Sequence, residues 1–126
     1  MLNFDGRVVL VTGAARGIGA ATARLFASAG ASLALCDRDA FTFAGAHTEI
    51  LDVRDAAAVL AFTETVRDRF GRVDVLVNNA GGTFHAPFLE TSARGEETLI
   101  AENFTQVTRL IRLIAPLIPA LLNNTS

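Results

Sequence analysis

The sequence predicts an α/β domain built on parallel strands, and three observations carry that expectation. An apolar run, Val8-Val9-Leu10-Val11, passes through Thr12-Gly13-Ala14-Ala15-Arg16-Gly17-Ile18-Gly19 into a helical pattern. Strand-like and helix-like segments then alternate along the chain, the order that produces parallel sheets. Hydrophobic residues make up 51% of the chain, yet no apolar stretch reaches the ~18–20 residues of a membrane span. Strands covered on both faces explain that excess.

The elements follow in order. Residues 7–12 read as the first strand. The helix opening at Gly17 carries Ile18, Thr22, Leu25 and Ala29 on one stripe, and Gly30 stands where a helix C-cap is expected. Residues 31–36 form a second strand ending at Asp37, and this strand–helix–strand unit implies a right-handed parallel crossover. Residues 37–47 are too few for a long helix with two connections and read as loop with at most one helical turn. Residues 48–51 make a short third strand, closed by Asp52-Val53. Asp55 is placed to N-cap a helix with apolar positions Val59, Phe62, Val66 and Phe70, which Gly71 stops. Residues 73–77 are the fourth strand and run into Asn78-Asn79-Ala80-Gly81-Gly82.

A loop containing His85, read as a surface residue, leads to the last long helix. That helix starts between Thr91 and Glu97 and reaches about Ala115, limited by Pro116 and Pro119. Ile100, Phe104, Val107, Ile111 and Ile114 form one apolar stripe; Leu110, Leu113 and Leu117 form a second. A helix apolar on two sides is expected to be buried on two sides.

Bulk properties narrow the function. A net charge of −2 without a basic block argues against nucleic acid as a partner. The start of the chain lacks the basic and apolar regions of a secretory signal, and Cys36, the single cysteine, reads as a small buried residue. A cytoplasmic protein with neither a membrane partner nor a metal site is the expectation.

The residues that carry chemistry fall at the ends of four successive strands, the edge where open α/β sheets bind ligands. Gly13 permits a sharp turn, Gly17 clears bulk where a pyrophosphate would approach the backbone, and Gly19 lets helix and strand pack closely. The helix that follows presents N–H groups without intrahelical partners. Asp37 stands twenty-four residues after Gly13, close to the offset at which a carboxylate meets an adenosine ribose. Asp52-Val53 and Asn79-Ala80-Gly81 complete the set. Taken singly, these are a turn glycine, a solvated aspartate, a helix-entry cap and a loop; in this order, each after a strand, they point to a dinucleotide.

The combination Thr12-Gly13-x-x-x-Gly17-Ile18-Gly19, Asp52-Val53, Asn78-Asn79-Ala80-Gly81 and Asn103 within the last helix resembles the short-chain dehydrogenase/reductase family across the whole chain. The resemblance implies a Rossmann-type doubly wound parallel sheet that binds NAD or NADP. It places Gly13, Arg16 and Ile18 along the pyrophosphate, with Gly17 and Gly19 in the same cofactor-binding turn, Asp37 at the adenosine ribose, Asp52 and Val53 at the adenine, and Asn79, Ala80 and Gly81 at the inner part of the cofactor. Asn103 matches the asparagine of the family's catalytic group, which kinks its helix and helps hold a water in a proton relay. Asp37 favours NAD, because a carboxylate repels a 2′-phosphate by about 1–4 kcal/mol at ~4 Å; Arg16 and Arg38 leave NADP open.

The chain departs from that family in one respect. The family's acid/base tyrosine, the lysine four residues on and the substrate-orienting serine have no counterparts here, since the sequence contains no Tyr and all eleven Lys+Arg residues are Arg. Residues 1–126 are therefore expected to be the NAD(P)-binding half of a longer oxidoreductase, truncated before its Ser/Tyr/Lys segment and inactive alone. The expected substrate is a small alcohol or carbonyl compound. The expected assembly is a homo-oligomer, dimer or tetramer, formed through the 92–115 helix. A non-catalytic dinucleotide-binding or regulatory module, and a purely structural role, are the alternatives.

Overall fold

The computed structural model describes residues 3–81, 93, 94, 97 and 101–119. Its elements are β1 (Val8–Thr12), α1 (Gly17–Ser28), β2 (Ser32–Asp37), β3 (His47–Ile50), α2 (Ala56–Phe70) and β4 (Val75–Val77). A π turn (Ala101–Thr105) then leads into α3 (Gln106–Ile114) and a 3₁₀ turn (Ala115–Leu117). The strands are all parallel, in the order β3-β2-β1-β4, with Val9 opposite Leu33 and Val75. Residues 38–46 carry neither helix nor strand, as the loop reading expects, but His47 does not belong to that loop: it opens β3, which starts one residue earlier than the sequence suggests. Among the described residues no helix is long and apolar enough to cross a membrane.

Side-chain alternation along the strands builds two cores from one sheet. Val8, Leu10, Ala34 and Cys36 face α2 and α3, where they meet Val59, Phe62, Val66, Leu110 and Ile114. Val9, Val11, Leu33 and Leu35 face the other way, against Ala23 and the partly buried Phe26 of α1. This two-sided burial is why β1 and β2 lack a polar alternation.

Helix ends follow local chemistry. Asp55 accepts hydrogen bonds from the N–H groups of Ala57 and Ala58 and so starts α2. Gly71, with φ of 76°, ends it in the left-handed conformation that a glycine enters without a Cβ penalty. At the end of α1, Gly30 N–H donates to Ala27 O and Ala31 N–H to Phe26 O, the paired closure of a Schellman motif.

Two helix faces differ from expectation. On α1, Ile18 is 78% exposed and Leu25 is exposed as well; the buried residues are Gly19, Ala20 and Ala23. The helix lies so close to the sheet that small side chains, not large apolar ones, form its inner face. On α3 the inner face is Gln106, Leu110 and Ile114, with Leu113 and Leu117 partly buried against the same core. Phe104 (65%) and Ile111 (47%) point outward, so only one of the two apolar sides is covered in this chain. Ile100 lies outside the residues whose side chains are described.

The fourth strand is shorter than predicted because Val73 bonds outside the sheet, while Asp74 still bonds to β1. Val73 N–H donates to Leu117 O at 3.1 Å, after α3, and Asp74 N–H donates to Val8 O at 2.8 Å. The Asp74 carboxylate, 7% exposed, accepts from Val8 N–H at 2.8 Å and pairs with Arg72 and Arg7. Burial alone would raise the Asp74 pKa, but the hydrogen bonds from Arg72 and Val8 outweigh it and hold the carboxyl below its ordinary range. A depressed carboxylate stabilises the fold above the unfolded pKa and loses that contribution as pH falls through the lowered folded value. Asp74→Asn is expected to cost about 1–2 kcal/mol near neutral pH. The difference from wild type should shrink below about pH 4. Urea unfolding of both forms across pH measures it.

Candidate active site

The site is assembled at the carboxyl ends of β1, β2, β3 and β4, beginning with a contact between backbones. Gly13 follows β1 with φ of 67°, and Gly19 sits in the first turns of α1. A Cβ on residue 19 would lie 2.0 Å from Gly13 O and 2.6 Å from Asn79 Nδ2. One on residue 13 would lie 2.8 Å from Asn79 Nδ2 and 3.0 Å from the Ala80 backbone. Gly17 differs: its φ is 60° and a Cβ there would meet nothing within 4 Å. Gly13 and Gly19 are thus packing glycines, whereas Gly17 borders open space.

Thr12 joins two of the strand ends. Its hydroxyl is fully buried and accepts from the N–H groups of Asn79 (3.1 Å) and Ala80 (3.0 Å). Asn79 Nδ2 returns a bond to Gly13 O at 3.0 Å. On the other side, Gln106 Nε2 donates to Ala80 O at 2.8 Å, so α3 grips the same segment. Asn78 and Gly81 flank it.

Asp37 organises the end of β2. One carboxylate oxygen accepts from Ala15 N–H (3.0 Å), in the glycine turn, and the other from Asp39 N–H (2.9 Å). Arg16 N-caps α1 without a side-chain capping bond; its guanidinium instead pairs with Asp39 at 2.8 Å. With no acidic residue in its first turn either, α1 keeps first-turn N–H groups available to an anion, unlike α2, where Asp55 takes two. Past β3, Asp52 is held by a bidentate ion pair with Arg54 at 2.7 Å. The Arg54 hydrogen bond, with help from the nearby charge of Arg38, keeps its carboxyl below the usual range and therefore ionised at neutral pH.

These groups surround an open cleft of ≈ 230 Å³ lined by Gly13, Arg16, Asp37, Arg38, Asp39, Leu51, Asp52, Val53, Asn79, Ala80 and Gly81. Of the residues expected at the site, Gly17, Ile18 and Gly19 are not on its wall: Gly19 lies beneath it and Ile18 faces solvent. Arg16 reaches the rim of the cleft at Asp39. Asn103 lies in the π turn, the kind of helix irregularity that recurs at functional sites, one turn before Gln106. His85 is outside the described residues. Cys36 takes no part, because burial, then Asp37 and Glu49, push its thiol up to about 12. Among the described residues no group of three His, Cys, Asp or Glu could hold a metal ion.

The sequence did not single out Thr12, Asp39 or Gln106. Thr12 was visible only as part of the glycine motif. Gln106 was detectable as the one polar position on the inner stripe of α3, a buried amide that needs a partner.

Comparison with known proteins agrees with this geometry. The family model for short chain dehydrogenase matches residues 7–123, and the chain belongs to that family. It is 37% identical over 124 residues to L-fucose dehydrogenase of Rattus norvegicus, covering 90% of this chain and 45% of the relative. It is 42% identical over 114 residues to D-threitol dehydrogenase of Mycolicibacterium smegmatis, covering 82% and 44%. A crystal structure of a short-chain dehydrogenase/reductase, glucose/ribitol dehydrogenase, from Brucella melitensis superposes with a TM-score of 0.86 at 30% identity, over 93% of this chain and 52% of that one. The chain thus spans about half the length of the relatives it matches.

Thr12→Val keeps the shape of the side chain and removes its acceptor. Leaving two N–H groups at the cleft without it is expected to destabilise the protein by about 1–3 kcal/mol. A lower urea midpoint with an unchanged m-value is the readout.

Proposed function

We propose that this chain forms the dinucleotide-binding half of an NAD-dependent oxidoreductase that interconverts an alcohol and a carbonyl compound. The observation that carries the reading is the start of α1 at Gly17, where an open approach and first-turn N–H groups without a side-chain cap fit a pyrophosphate. Gly13, Arg16, Gly17, Ile18 and Gly19 form or flank that approach. Asp37 retains acceptor capacity beyond its two backbone bonds and suits ribose hydroxyls. Asp52, Val53 and Arg38 border the adenine end; Asn79, Ala80 and Gly81 border the nicotinamide end. When bound, the nicotinamide supplies the hydride acceptor or donor.

Asn103 is assigned to the reaction, in a π turn whose helix is anchored to Ala80 by Gln106. The carboxylate of Asp37 supports NAD over NADP, and NADP is the second candidate. The relatives named for L-fucose and D-threitol direct the substrate search to sugars and polyols. The outward Phe104 and Ile111 suit packing against a second copy of the chain. A dinucleotide-binding module without catalysis is the second reading.

Titration of the full-length gene product with NADH tests the first claim, with saturation expected in the ~1 μM–1 mM range. Gly17→Val places a β-branched side chain at positive φ on the approach and should weaken NADH binding by on the order of tenfold or more. Assay against sugars, polyols and their carbonyl forms separates enzyme from module; in the enzyme, Asn103→Ala should lower kcat by roughly 10²-fold or more. Absence of NADH binding at millimolar concentration rejects the reading.

A further inference from the structure

The rim of the cleft carries a solvent-exposed ion pair. Arg16 Nη2 lies 2.8 Å from Asp39 Oδ2, with side chains 80% and 48% exposed. The pair covers no core, and the Arg16 side chain makes no capping bond to α1. Its geometry is nonetheless fixed. Asp37 accepts from Ala15 N–H through one oxygen and from Asp39 N–H through the other. The residue preceding Arg16 and the residue supplying its counter-charge therefore hang on one carboxylate, which brings guanidinium and carboxylate together at the mouth.

We propose that Asp39 is a specificity-determining residue that sets nucleotide preference by holding Arg16 away from a phosphate on the adenosine 2′ oxygen. The inference rests on the dinucleotide reading and adds to it a residue and a direction. Arg16 on its own would favour the phosphorylated nucleotide, since a guanidinium presents a fork of donors matched to phosphate. With Asp39 in place Nη2 of that fork is engaged, and a 2′-phosphate must compete for it in a cleft whose lining sets Asp37 and Asp52 against Arg38. An exposed pair contributes little to stability. Its effect is on selectivity.

The test is parallel fluorescence titration with NADH and NADPH, at one ionic strength, on the full-length gene product. Wild type, Asp39→Asn, Arg16→Ala and the double variant are compared, with Asp39→Ser as an independent replacement of the same carboxylate. In Asp39→Asn and Asp39→Ser the ratio Kd(NADH)/Kd(NADPH) should rise on the order of tenfold. In the double variant most of that rise should vanish. A ratio that stays within about twofold of wild type in both single Asp39 variants overturns the proposal. So does an equal rise in the double variant, which would make Arg16 irrelevant. Wild type that binds neither nucleotide overturns the dinucleotide reading itself, and this proposal with it.

Discussion

The structure depends on how closely two stretches of backbone approach each other. The carbonyl of Gly13 occupies the space where any side chain on residue 19 would begin, 2.0 Å from the Cβ position. That approach lets α1 start directly above the end of β1, and it leaves room for Asn79 Nδ2 to reach the same carbonyl. Once these are in place, Thr12 and Asn79 stitch β1 to the exit of β4, and Asp37 stitches the glycine turn to the exit of β2. The cleft is the space left outside those stitches. Its walls are short segments of loop tied to neighbouring strand ends, with Leu51 and Val53 also packed against the core.

The same closeness explains why the inner face of α1 differs from the one its apolar pattern marks. A stripe of large apolar residues at helical spacing marks burial when a helix sits at ordinary distance from a sheet. Here the helix is nearer, so Gly19, Ala20 and Ala23 fill the interface while Ile18 and Leu25 are left outside. Small residues carry little hydrophobic signal. The glycine motif itself contains the information, since Gly19 implies a short helix–strand distance, but the stripe and the motif point to different faces, and the packing of α1 on the sheet chooses between them.

Other parts were legible because one residue determines the outcome. Asp55 and Gly71 bracket α2 by satisfying backbone donors and by adopting a left-handed conformation, and neither depends on distant packing. The parallel order of β1 and β2 follows from the length of the crossover and from continuous apolar runs. The identity of the residues along the cleft was legible too, because strand ends in such a sheet converge on one edge. Their partners were not. That Arg16 turns to Asp39, or Asp52 to Arg54, depends on which side chains two separate loops bring within reach. The shortened β4 belongs here as well: Val73 bonds to Leu117, more than forty positions away, and nothing local to Val73 announces it.

Gln106 shows how a polar residue can decide a question that apolar spacing leaves open. Two apolar flanks run along α3, and hydrophobicity alone gives no reason to bury one in preference to the other. A buried side-chain amide without a partner costs free energy, so the face bearing Gln106 can turn inward only where a hydrogen-bonding group awaits it. The carbonyl of Ala80 supplies that group at 2.8 Å. This bond fixes the rotation of the helix: Leu110 and Ile114 follow Gln106 into the core, and Phe104 and Ile111 turn out. It also ties the helix bearing the π turn and Asn103 to the loop at the inner end of the cleft. Core packing and site geometry are therefore set by one side chain, and a change in the Asn-Ala-Gly segment would be felt in the seating of α3.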